Sequence, residues 1–105
     1  MDHNKQFYIN GEWVASNNGT AHDVTNPATE MACGQITLAS IEDVDKAVAA
    51  AKAAFPAYSR SSREERLGLI DKIVEVYSAR MEDLIAAVMI EMGAPRKLAA
   101  KAQVP

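Results

Sequence analysis

Four kinds of side chain in this 105-residue chain could do chemistry: one thiol, two imidazoles, a set of carboxylates and five glycines. Cys33 would need a neighbouring base or cation to become a thiolate nucleophile. Its neighbours Ala32 and Gly34 lie in a predicted strand with no basic residue close in sequence, so Cys33 reads as a small buried side chain. His3 sits in a polar leader and His22 at a strand edge. With no HxxxH pair and no CxxC partner, they compose no zinc site of the usual kind. The glycines at 11, 19, 34, 68 and 93 form neither GxGxxG nor a GK[ST] loop, so no phosphate cradle is visible. Asp43, Asp45, Glu64, Glu65, Asp71, Glu75, Glu82 and Asp83 fall on polar helix faces or at helix starts, where carboxylates solvate and cap. Glu91 differs: it falls in the last turn of an apolar helix, where its charge opposes the helix dipole and calls for a compensating partner.

The elements that must position these residues change character at Ser40. Before it, Phe7-Tyr8-Ile9 and Glu12-Trp13-Val14 flank Asn10-Gly11, the dipeptide that best accepts the two positive φ angles of a type I′ hairpin turn. A second extended pair, His22 to Thr25 and Met31 to Leu38, is joined by a turn at Pro27, which lacks a backbone donor and biases Asn26 away from the helical region. Strands are thus expected over about 7–38. Ser40 with Asp43 then forms a capping box, and Ile41, Val44, Val48, Ala51 and Phe55 recur at helical spacing, predicting a helix over about 41–55 that ends near Pro56. Ser62 with Glu65 repeats the box, and Leu67, Ile70, Val74, Tyr77, Met81, Leu84 and Val88 predict one long helix over about 62–92, with room for a bend between Ser78 and Met81. Arg96 to Gln103 could begin a third.

Hydrophobic residues make up 49% of the chain but aromatics only 6%, so a core must come from Leu, Ile, Val and Met. Lys and Arg number 11 against 14 Asp and Glu, a net charge of −3 that offers no cationic footprint for nucleic acid. The longest apolar run, Leu84 to Ile90, falls far short of the roughly 20 residues that span a bilayer, and the start Met1-Asp2-His3-Asn4-Lys5-Gln6 opens no signal sequence. These features predict a cytoplasmic protein with neither nucleic-acid nor membrane partners, and a single cysteine suits that compartment. The stripe from Leu67 to Val88 reads as core-facing: Gly68 weakens a free coiled-coil helix, and the acidic polar face disfavours lying on a membrane. One unit over 1–105 is expected, an α+β fragment of two short antiparallel hairpins followed by a long helical hairpin. Its apolar helix faces need a further layer to cover them. Alone, with Ile70, Val74, Leu84 and Val88 facing water, it would form an oligomer or exchanged dimer.

The segments FYINGEWV, VTNPATE, SIEDVDKAVAAAKAAFPAYS and SSREERLGLIDKIVEVYSARMEDLIAAVMIEMGAP follow one another in an order that resembles the amino-terminal portion of the NAD(P)-dependent aldehyde dehydrogenase superfamily. The resemblance covers nearly the whole chain. It implies a parent four to five times longer, in which these hairpins and helices sit beside the Rossmann-like sheet of the cofactor domain. It also implies oxidation of an aldehyde to a carboxylic acid: a thiolate attacks the aldehyde, hydride passes to NAD(P)+, and water hydrolyses the thioester. The family's nucleophile, general base, oxyanion asparagine and cofactor loops all fall downstream, so none is carried over, and Cys33 does not match the nucleophile. The segment itself is then structural and inactive alone, its partners the remainder of the chain and further copies of it. One site is carried over. In similar enzymes a monovalent cation is held by a main-chain carbonyl before the Asn-Pro turn and by the acid of an acid-x-Gly-x-Pro motif. Here Val24 or Thr25 matches the first and Glu91, in Glu91-Met92-Gly93-Ala94-Pro95, the second, with Na+ or K+ as ligand. A rival reading is a free-standing interaction or oligomerisation module that uses the helix stripe.

Overall fold

The computed structural model describes residues 3–104; the predicted start at Met1 and Asp2 and the terminal Pro105 lie outside the described residues. Four strands precede the helices, and the chain divides into two compact units, Met1–Val24 with Gly34–Arg60, and Thr25–Cys33 with Ser61–Pro105.

In the first unit, β1 (Gln6–Ile9) and β2 (Glu12–Ala15) pair antiparallel with Phe7 opposite Val14 and Tyr8 opposite Trp13. The turn between them has φ of 54° at Asn10 and 84° at Gly11, the two left-handed residues that the Asn-Gly dipeptide predicts. Phe7, Ile9 and Val14 are half-buried, whereas Tyr8 and Trp13 share the exposed face. There His3 stacks on the Trp13 ring at 4.2 Å and Tyr8 meets it edge-on at 5.3 Å. Helix α1 (Ile41–Tyr58) packs against β1. It runs past the predicted end at 55, with Pro56 inside its last turn. So close to the C-terminus the proline forfeits a single helical hydrogen bond while its fixed φ suits the helix, and Ser59 N–H still reaches the Phe55 carbonyl at 2.8 Å.

The second hairpin pairs β3 (Thr20–Asn26) with β4 (Met31–Leu38). Its tip belongs to the second unit, together with α2 (Arg63–Ala79), α3 (Met81–Met92), the single turn α4 (Arg96–Leu98) and a π-helical continuation at Ala99–Gln103. The expected single helix over 62–92 is therefore two helices. Arg80 breaks it with φ −107° and ψ 13°, its N–H shared between the carbonyls of Val76 and Tyr77 at 3.2 and 3.1 Å. The interruption lets α3 aim its own apolar residues: Ile85, Ala99 and Val104 form the buried core, ringed by Met81, Leu84, Val88, Met89, Ala94 and Ala100. Leu84 and Val88 thus pack within the unit instead of facing water, while Ile70 and Val74 on α2 are exposed as expected. Tyr77 hydroxyl donates to the Val104 carbonyl at 3.1 Å and ties α2 to the same segment.

Candidate functional site

Asn26 and Pro27 build the most structured turn of the second unit. The Asn26 carbonyl accepts the N–H groups of Glu30 (2.8 Å) and Thr29 (3.3 Å), and its side-chain Oδ1 accepts Ala28 N–H at 2.9 Å. Asparagine is suited to this double role because its short amide mimics a backbone turn. Glu30 closes the loop with φ 58° before β4 begins.

The end of α3 meets this turn. Gly93 takes φ 65° and ψ 18°, the left-handed cap that ends a helix. A Cβ on Gly93 would lie 3.0 Å from Pro27 Cγ and 3.7 Å from Ala28 N, so the glycine is also the residue small enough to let turn and helix end touch. Two residues before this contact stands Glu91, exposed, and among the described residues its side chain makes no ion pair or hydrogen bond. Thr25, immediately before the turn, shares the unit with Glu91; Val24 belongs to the other unit. Among the described residues no group of three or more His, Cys, Asp or Glu gathers to hold a metal ion.

A second polar site lies in the first unit at the start of α1. The Asp43 carboxylate is buried and accepts Asn17 N–H at 2.9 Å, the Ser16 hydroxyl and Ser40 N–H at 3.0 Å, while its own N–H donates to Ser40 Oγ at 3.2 Å. These donors, Asn17 N–H foremost, then Ser16 hydroxyl and Ser40 N–H, hold the carboxyl far below the usual carboxylate range against the opposing effect of burial. The capping box was legible in the sequence; the two long-range donors at 16 and 17 were not, because nothing in local spacing brings a residue 26 positions away.

Neither helix start is open to a phosphate. Asp43 on α1 and Glu65 on α2 turn their carboxylates back onto the N-cap N–H groups, with Ser62 N–H to Glu65 at 2.6 Å, and so place negative charge where an anion would bind. The glycines do not form a cradle either: Gly11 and Gly93 turn the chain, Gly68 lies inside α2, and Gly19 is wedged beneath Ser16, Thr37 and Leu38. The described residues therefore do not fit a dinucleotide phosphate site. Cys33, expected to be buried, is exposed in β4; β4 belongs to a two-stranded sheet, with only one strand to pair it.

Two antiparallel hairpins leading into a capped α1 and an interrupted α2–α3 pair define the architecture to be matched. The family model for the aldehyde dehydrogenase family matches residues 13–105, and the chain belongs to that family. Similar proteins include an aldehyde dehydrogenase homologue of Staphylococcus epidermidis, 52% identical over 88 residues, which are 84% of this chain and 18% of that one. A Staphylococcus aureus homologue is 46% identical over 97 residues, 92% of this chain and 20% of its own. The crystal structure of aldehyde dehydrogenase C from Pseudomonas syringae, in complex with NAD+ and octanal, superposes with TM-score 0.95 at 41% identity, over 99% of this chain and 21% of that one. The aldehyde dehydrogenase from Bartonella henselae superposes with TM-score 0.93 at 43% identity, over 95% and 21%. The chain thus spans about a fifth of the length of the proteins it matches.

Proposed function

We propose that this chain is the amino-terminal part of an NAD(P)-dependent aldehyde dehydrogenase that oxidises an aldehyde to a carboxylic acid in the cytoplasm. The observation that carries this reading is the superposition on the Pseudomonas syringae enzyme, which takes in 99% of this chain and only 21% of that one. In this reading the 105 residues are structural and inactive alone. The nucleophile, the general base and the residues that bind NAD or NADP belong to the rest of the polypeptide, and the whole protein assembles as a homo-oligomer. When bound, the nicotinamide cofactor supplies the hydride acceptor. The residues of this segment complete the cofactor domain: Asp43 locks the loop after β2 onto α1, and the contact between Gly93 and Pro27 fixes the end of α3 against the Asn-Pro turn.

At that junction a monovalent cation, Na+ or K+, would be held by the Glu91 carboxylate and the main-chain carbonyl of Thr25 or Val24. Oxygen donors suit hard cations, the Glu91 carboxylate is exposed, and a cation there would offset a charge that opposes the dipole of α3.

Reading the source gene in frame beyond Pro105 tests the proposal. Several hundred further codons containing a glycine-rich cofactor segment and a later cysteine motif are expected. A stop codon directly after Pro105 would instead favour an interaction module built on the uncovered face of α2.

A further inference from the structure

The side chains of α2 divide cleanly between two halves of its surface. At about 100° per residue, Leu67, Leu69, Ile70, Ile73, Val74, Val76 and Tyr77 occupy a continuous arc of about 180°, with Glu64, Glu65, Asp71, Lys72 and Glu75 filling the other half. The apolar seven are 39–58% exposed. On the polar half Lys72 pairs with Glu75 at 2.8 Å, as a solvated helix face does. An ordinary core-facing stripe is about 100° wide and a coiled-coil seam narrower still, so a single helix laid along Ile70, Ile73, Val74 and Tyr77 would leave Leu67, Leu69 and Val76 wet. A β-sheet would not. With strands about 4.8 Å apart, three strands span about 10 Å, the diameter of a helix with its side chains.

We infer that α2 docks, through the half of its surface bearing Leu67, Leu69, Ile70, Ile73, Val74 and Val76, onto the face of a β-sheet contributed by the remaining four fifths of the full-length protein. This rests on the reading of the chain as part of a longer dehydrogenase and adds which helix meets the rest, by which residues and against what kind of surface. The matched proteins supply the length of chain required, since this segment accounts for about 20% of them.

The test co-expresses this chain with the Staphylococcus epidermidis homologue shortened by the residues that match it. A 1:1 complex is expected, weakened at least tenfold by Ile73→Asp or Val74→Asp and changed less than twofold by Lys72→Ala or Glu75→Ala. Because an aspartate could disturb folding, Ile73→Cys provides a milder readout: its alkylation should slow at least tenfold in the complex. A photo-crosslinking residue at position 73 should attach to alternate residues of extended segments in the partner. A complex that forms with Ile73→Cys still fully reactive, or crosslinks to a second copy of this chain or to helically spaced residues, would overturn the docking and leave the family role intact. Absence of any complex would overturn both.

Discussion

Asn17 donates its backbone N–H to the Asp43 carboxylate at 2.9 Å, joining the loop that follows the first hairpin to the first turn of the first helix. One side chain thereby closes its own helix cap and anchors a segment 26 residues earlier. Asp43→Asn keeps the shape but replaces one acceptor oxygen with a donor, facing N–H groups that cannot accept. We expect it to lower the melting temperature by several degrees, more than any substitution at the exposed carboxylates Asp45 or Asp71.

The same bond sets a pH dependence. The carboxyl titrates well below its ordinary value of about 3.9, so ionised Asp43 favours the folded state at every pH above that value. This contribution fades as the pH falls below about 4 toward the folded-state titration. Melting curves by circular dichroism should therefore show the gap between native chain and Asp43→Asn widest above pH 5 and narrowing below pH 4. A gap independent of pH would contradict the assignment.

Two glycines should respond in opposite directions to alanine. At Gly19 a Cβ would fall 2.5 Å from the Leu38 carbonyl oxygen and 2.7 Å from Thr37 Cγ2, both too close, so Gly19→Ala should cost about 1–3 kcal/mol. At Gly68, inside α2, a Cβ meets nothing within 4 Å, and Gly68→Ala should gain up to about 1 kcal/mol from helix propensity. Urea titration of the two variants measures both.

At the end of α3, Gly93→Ala should cost about 1–2 kcal/mol, since an L side chain would be held at φ 65° and pressed on Pro27. Its neighbour Glu91 tests the cation. In the full-length enzyme, Na+ or K+ should raise the melting temperature, as any ligand of the folded state does, and Glu91→Gln should remove that response. Stability independent of both ions in both proteins would eliminate the site.

Much of this architecture was legible because its signals are local. Asn10-Gly11 specifies a turn through backbone φ alone, and Ser40/Asp43 and Ser62/Glu65 specify helix starts within four residues. The break at Arg80 was not, because no helix breaker stands there; the interruption accompanies the packing of Ile85 on Ala99 and Val104, a tertiary demand. The continuation of α1 past Pro56 likewise reflects position, since a proline in a last turn removes little. Cys33 was misplaced because its residue type suggested burial, whereas it lies in a two-stranded sheet where its thiol is exposed. The cation residues came from the resemblance and not from local pattern; the structure adds the contact of Gly93 with the Asn-Pro turn, which spacing across more than 60 residues could not reveal.

The most direct measurement replaces the matching amino-terminal residues of the Staphylococcus epidermidis homologue with this chain and assays NAD+-dependent aldehyde oxidation. The account predicts a folded chimera that oxidises aldehydes at a rate comparable to the unaltered homologue, while the 105-residue chain alone shows none. A folded but inactive chimera, or activity in the isolated chain, would contradict it.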